Sequence, residues 1–307
     1  MEIKKKIDVA GLFFKISTII TILVILFIIG FIFYIASPVL YKEGLGFIFN
    51  LKWDYSSSTF GSAVFIIGTI ILTVLTLIIA VPTSLFTAIF LSEWAPLWLE
   101  KIIRPMIELL VGIPSVVYGI VGIFIFEGFF RNYVDPTISS LFGFIPFLYD
   151  NHPETGTGLL LTSFVLALMI VPTIISLSQE AMKAVSDEHR EASFALGATK
   201  WETIRNVVVP IASTGIIAAI ILGIMRAMGE TMAVVMIIGN SPKIPATIFD
   251  HCYPMTSKIL NEIGYQIAFD EPRSALFAIA AILFLIEICF VALVRLIYWK
   301  GKGNHDA

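Results

Sequence analysis

The stretch GIIAAIILGIMRAMGETMAVVMII, Gly215–Ile238, decides the fold. It is continuously apolar except for Arg226, Glu230 and Thr231. A helix rises about 1.5 Å per residue, so about 20 apolar residues cross the ~30 Å hydrocarbon core of a bilayer. This run is long enough. A helix also satisfies its own backbone hydrogen bonds, which lipid cannot do.

Working outward, five more runs of this kind follow: Leu12–Ala36, Ala63–Leu91, Met106–Phe126, Gly158–Leu177 and Ala275–Tyr298. Each exceeds the length of a minimal span. None alternates polar and apolar residues as the strands of an outer-membrane barrel do. The expected fold class is therefore an all-α membrane protein with six transmembrane helices. Pro82 and Pro172 lie inside the second and fourth spans and predict kinks there, tolerable where neighbouring helices pack. The first run follows Lys4, Lys5 and Lys6. It is too long for a signal peptide's apolar core and reads as an uncleaved anchor.

Composition agrees. Of 307 residues, 58% are hydrophobic and 14% charged, and the mean hydropathy is +0.93. Soluble domains carry about 25% charged residues. The net charge of −3 gives no basic field for nucleic acid. Two cysteines, Cys252 and Cys289, make neither a disulfide framework nor a Cys-rich metal site. No Gly-x-x-x-x-Gly-Lys-Ser/Thr run, the phosphate-cradling loop of many ATPases, occurs.

Lysine and arginine set the orientation. With the N-terminus inside, 13 of the 20 basic residues fall on the cytoplasmic side and 6 outside, with Arg226 left within a span. Both termini are then cytoplasmic, in a cell-membrane protein that crosses several times.

The loop Ser178–Thr214 is cytoplasmic by this count and reads as helical. One stretch ends near Leu196, and a second covers Lys200–Val208 before Pro210. Gly197 suits the corner because glycine accepts positive φ. Thr199 is placed to cap the second stretch, with Glu202 three residues on. Such an element is either a docking surface or an interfacial hairpin that merely closes the loop.

EASFALGATKWETIRNVVVP, Glu191–Pro210, resembles the EAA loop of type I ABC-importer permeases, the binding-protein-dependent family. Glu191, Ala192, Gly197 and Pro210 match in register. Ser193 replaces the second alanine, and Val207 and Val209 replace Ile and Leu. In that family the loop docks into a cleft on the ATPase subunit. The resemblance implies ATPase coupling through Glu191, Ala192, Ser193, Gly197, Arg205 and Pro210. Small Ala192, Ser193 and Ala195 permit close approach to a partner, and Glu191 and Arg205 offer polar contacts at the rim.

ELLVGIPSVVYGIVGIF, Glu108–Phe124, and RAMGETMAVVMIIGN, Arg226–Asn240, resemble the PstC-type branch of phosphate-importer permeases. The resemblance runs from about Gly61 to the end and is weakest in the outer loops. It implies a type I ABC importer permease fold, with residues 1–11 cytoplasmic, 12–60 the first span and outer loop, 61–298 the core permease domain with its coupling loop at 186–210, and 299–307 a cytoplasmic tail. It also implies partners: a PstA-type second permease, two PstB-type ATPase subunits that bind ATP and Mg, and a PstS-type phosphate-binding protein. The chain itself would hold no cofactor or metal and would be no enzyme.

Arg226 and Glu230 are four residues apart, hence on one helix face. An arginine in a span costs at least about 2.5 kcal/mol and needs a partner. Glu230 is the nearest candidate. A guanidinium donates two hydrogen bonds at once to a tetrahedral oxyanion. The expected substrate path is therefore Arg226 oriented by Glu230, with the hydroxyl of Thr231 beside them; the alternative is a salt bridge that only pins the helix. Glu287 lies inside the sixth span. His189 has no second ligand at metal spacing. Gly112, Pro114, Gly119 and Gly122 read as packing or hinge positions. Trp94, Trp98 and Trp299 sit at span ends.

Rival readings are a PstA-type sister or a permease for another oxyanion such as molybdate or sulfate, a membrane-embedded enzyme, and an ion channel. No histidine lies in a span to serve an enzyme, and a channel has no use for an ATPase-docking loop.

Overall fold

The computed structural model describes residues 9–149 and 156–303. Lys4, Lys5 and Lys6 of the orientation argument, most of the 1–11 segment and the end of the tail lie outside the described residues. The described residues are mostly helical, and among them six helices are long and apolar enough to cross a membrane. The helices are α1 (Val9–Glu43), α2 (Ala63–Trp94), α3 (Leu97–Val111), α4 (Ser115–Phe142), α5 (Leu159–Lys183), α6 (Asp187–Ala195), α7 (Lys200–Gly229), α8 (Met232–Ile237), α9 (Met255–Gln266) and α10 (Asp270–Gly303). A two-stranded hairpin pairs β1 (Trp53–Asp54) with β2 (Thr59–Phe60), antiparallel, with Trp53 opposite Phe60.

Two compact units share the chain. One joins the residues up to Ser62 with Ile263–Phe284; the other joins Ala63–Glu262 with the chain from Leu285. In the first unit α1 lies along the start of α10. The Ser274 hydroxyl accepts from the Val39 amide (3.1 Å) and donates to the Ala36 carbonyl (3.3 Å), next to Pro38. Proline removes a helical donor and strands the carbonyl four residues back. That carbonyl belongs to Tyr34, and the Ser37 hydroxyl takes it up at 2.8 Å.

The second unit holds the core. Helices α2, α5 and α7 pack through Leu72, Ala80, Ala88, Leu166, Ile170, Ile174, Ala219 and Ala227, all nearly inaccessible. Buried Thr69, Thr73 and Thr76 donate back to the carbonyls four residues earlier, so their hydroxyls stay satisfied. A Cβ on Gly119 would come within 2.7 Å of Met236 Sδ, and one on Gly122 within 2.5 Å of Ile237 Cδ1. These glycines let α4 approach α8 closely, the packing role expected of them.

Two spans differ from expectation. The third begins at Ser115, not Met106, because Gly112–Pro114 breaks the helix and leaves α3 as a separate segment. Pro114 lacks an amide hydrogen and disfavours helical geometry in the residue before it. The fifth does not run to Ile238. It ends at Gly229, and the backbone is extended at Glu230 (ψ 130°) before α8 starts. At its other end it begins at Lys200, because the expected short stretch Lys200–Val208 continues unbroken into the span. Pro210 therefore lies within a helix and ends none. A widened π-turn over Ile204–Val208 takes up the proline.

Candidate functional site: a protruding hairpin and an interrupted helix

The first assembly is the hairpin of α6 and the start of α7. Gly197 turns the corner with φ +85°, a conformation strained for any side chain. Its amide donates to the Phe194 carbonyl (2.9 Å), and the Ala198 amide to that of Ser193 (3.2 Å), which closes the end of α6. Thr199 and Glu202 form the reciprocal cap. The Glu202 carboxylate accepts from the Thr199 amide at 2.8 Å, and the Thr199 hydroxyl accepts from the Glu202 amide at 3.3 Å.

The hairpin is moored to the ends of α2 and α5 by a residue that sequence reasoning counted only as a charge. Arg190 donates to Glu93 at 2.9 Å and to the Met182 carbonyl at 3.0 Å. The two side chains are only 16% and 9% exposed. Trp94 stacks on Trp201 with centroids 6.0 Å apart. Ser193 is half-buried. Its hydroxyl meets that of Thr203 at 2.9 Å and joins the two arms. Glu191, Ala192 and Arg205 are exposed, and neither charge enters an ion pair among the described residues. The tip is apolar: Leu196 is 90% exposed, with Phe194 and Trp201 also open. His189 is exposed as well. Behind the hairpin, Arg104 bridges Glu108 and Glu180 at 2.9 Å each, and Glu100 pairs with Lys183, so α3 is tied to α5.

The second assembly surrounds the end of α7. Arg226 is half-buried, and its Nη1 donates to the Thr173 hydroxyl at 3.0 Å. Glu230 does not partner it. Its carboxylate accepts from the amides of Thr231 (3.1 Å) and Ala233 (3.4 Å) and so caps α8. The i,i+4 argument fails because the helix stops between the two residues. A chain that turns extended at Glu230 carries the carboxylate off the Arg226 face. The Thr231 hydroxyl donates to the Gly229 carbonyl at 3.1 Å. A Cβ on Gly229 would lie 3.8 Å from Glu287 Oε1, which puts a carboxyl of the last span over the turn that bears Arg226. Thr173 was missed by the sequence reading. Its only signal was a hydroxyl directly after Pro172 in an apolar run.

Arg226 retains donors beyond the one given to Thr173, and the Glu230 carboxylate is taken up by the Thr231 and Ala233 amides. An arginine in this condition suits an entering oxyanion.

Six helices long and apolar enough to cross a membrane among the described residues, one of them running from an exposed helical hairpin to an interruption at Glu230, are those of a multi-pass membrane protein. Residues 80–299 match the family described as binding-protein-dependent transport system inner membrane component, and the chain belongs to that family. It is 38% identical over 260 residues to the phosphate transport system permease protein PstC of Pasteurella multocida, covering 84% of this chain and 80% of the relative. It is 31% identical over 316 residues to the probable PstC of Methanocaldococcus jannaschii, covering 99% and 98%. Among solved structures it resembles the crystal structure of a bacterial ABC transporter involved in the import of the acidic polysaccharide alginate. The TM-score is 0.53 at 16% identity, over 93% of this chain and 96% of the other. This last likeness concerns the fold alone.

Proposed function

We propose that the chain is the PstC-type permease subunit of an ATP-driven phosphate importer. Support for phosphate comes from relatives that bear that name at 31–38% identity over most of both chains. The chemistry around Arg226 agrees with it. In this reading a PstA-type permease pairs with this chain, two PstB-type ATPase subunits bind ATP and Mg beneath, and a PstS-type protein delivers phosphate from outside. Both termini face the cytoplasm. The chain performs no covalent step.

The observation that carries the mechanism is the continuity of α7. Its first turn is the second arm of the hairpin, and its last turn bears Arg226. Thirty residues of helix span about 45 Å. A displacement of the hairpin by the closing ATPase dimer therefore reaches Arg226 along one rod, with no loop between to absorb it. ATP binding turns the path outward, Arg226 exchanges Thr173 for phosphate, and hydrolysis restores the inward state. Glu230 holds the start of α8 and is not the counterion of Arg226.

The test is uptake of radiolabelled phosphate by the complete transporter in proteoliposomes. A charge-assisted hydrogen bond is worth about 1.5–3 kcal/mol, roughly 10- to 100-fold. Arg226→Lys, which keeps the charge and loses the fork, should lower uptake within that range while the complex still assembles. Glu230→Gln, which keeps an acceptor for the α8 amides, should lower it less. Normal uptake in both variants overturns the assignment.

A further inference from the structure

The Glu230–Thr231 link has a support of its own on α9, and it comes from a residue outside the proposed path. Once α7 stops at Gly229, the carbonyl of Glu230 has left the helical ladder. It accepts instead from the hydroxyl of Thr256, at 3.0 Å. Thr256 sits in the first turn of α9 and is only 7% exposed; its neighbours Met255 and Ser257 are inaccessible.

The same turn is held on its other side by α2. The Met255 amide donates to the Thr69 hydroxyl at 2.9 Å, and that hydroxyl donates onward to the Phe65 carbonyl at 2.8 Å. One turn further, the Lys258 ammonium pairs with Glu262 and lies 5.0 Å from the ring of Phe65 and 5.4 Å from that of Tyr253. A cation over aromatic rings in a desolvated place adds a second clamp. The start of α9 is thus gripped by α2, and it grips the interrupted segment in turn. A buried carbonyl is costly to leave without a donor, so the link and α9 keep their hydrogen bond or move together.

We propose that Thr256 is a positioning residue of the transport path: its hydroxyl ties the Glu230–Thr231 link to α9, so that α9 sets the position of the turn that carries Arg226. The Lys/Arg distribution puts α9 in the loop between the fifth and sixth spans, on the extracytoplasmic side, where a solute-loaded binding protein docks. Thr256 then does for the outer side what the hairpin does for the inner one. It contacts no phosphate itself. Its action is to keep Arg226 and the start of α8 in register with the outer helix when the binding protein engages.

This inference rests on the phosphate-importer reading, and the experiment separates the two. The complete transporter is assayed for ATP hydrolysis alone, for hydrolysis with phosphate-loaded binding protein, and for phosphate uptake. Thr256→Val removes the hydroxyl at nearly constant volume, and Thr256→Ser restores it. The Val variant should leave unstimulated hydrolysis unchanged and lower both binding-protein stimulation and uptake by about three- to tenfold, the range one buried neutral hydrogen bond carries. The Ser variant should recover to within about twofold of wild type on the same argument. Unchanged stimulation in the Val variant overturns the proposal, and so does a Ser variant as impaired as Val, since the hydroxyl would then be present without restoring function. If wild type itself fails to respond to phosphate, the substrate reading falls instead. The positioning role is then read without substrate, by hydrogen exchange of the assembled complex. Thr256→Val should speed exchange of the Thr231–Val235 amides and not of those in the middle of α7. Equal exchange at Thr231–Val235 in both proteins overturns it.

Discussion

The hairpin and the interrupted helix bear the two ends of the same rod, yet they are built by opposite means. The hairpin is local. Gly197 turns it, Thr199 and Glu202 cap it, and Ser193 and Thr203 join its arms, all within 17 residues of chain between Asp187 and Thr203. The interruption is tertiary. Neither proline nor a positive-φ residue lies at Glu230–Thr231; what holds it open is a carboxylate capping α8 and a hydroxyl from α9, 26 residues away. A locally built element can dock on a foreign protein and keep its shape. An element held open from outside can respond to what holds it.

The largest expected effect lies at the interrupted helix. Arg226→Ala, which removes every donor, should lower phosphate uptake by about 100-fold or more in a transporter that still assembles and hydrolyses ATP, since it loses charge-assisted bonds worth about 1.5–3 kcal/mol each. Uptake above a tenth of wild type would dissolve the contrast, because the rod would then carry nothing at its far end.

Next comes the mooring of the hairpin. Removing one partner of a fully buried ion pair costs about 3–5 kcal/mol because the other is left uncompensated, and this partly buried pair falls below that range. Arg190→Ala should therefore lower the thermal midpoint of the complex and weaken coupling of hydrolysis to uptake. Arg190→Ala combined with Glu93→Ala should recover part of the loss. A single variant as stable as wild type would show that the hairpin needs no such anchor.

Much of this was legible from residues alone, and the boundary is instructive. The spans follow from the continuous apolar runs, and the cap at Thr199 from a three-residue spacing, because both depend on neighbours in sequence. The continuity of Lys200–Gly229 was not legible. Pro210 reads as a stop, and only the π-turn before it shows how the helix proceeds. The Arg226–Glu230 pair was misread for a related reason. Spacing of four means a shared face only inside a helix, and the carbonyl at the break that voids it is bonded to Thr256, 26 residues away. The mooring of Arg190 to Glu93 joins residues 97 positions apart, for which no local pattern exists.

Smaller effects sharpen the contrast further. Thr199→Ala loses a helix cap worth about 1 kcal/mol. Co-purification titrated with ATPase should show about fivefold weaker association, and association unchanged would place the docking surface elsewhere. The smallest effect concerns Cys252, a buried free cysteine whose backbone pairs with that of Gly239. Burial pushes its thiol up to about 12, so at pH 7.5 it is almost entirely protonated and, in a Cys289→Ser background, should stay unlabelled by maleimide. Rapid labelling would mean that the support around the interruption opens readily.

The central claim is that α7 carries motion unbroken from the hairpin to Arg226. Inserting three glycines between Thr214 and Gly215 interrupts the rod and leaves both of its ends chemically intact. Measured in proteoliposomes of the complete transporter, ATP hydrolysis and ATPase association should persist while phosphate uptake falls to background. Uptake that keeps pace with hydrolysis across the insertion would contradict the account.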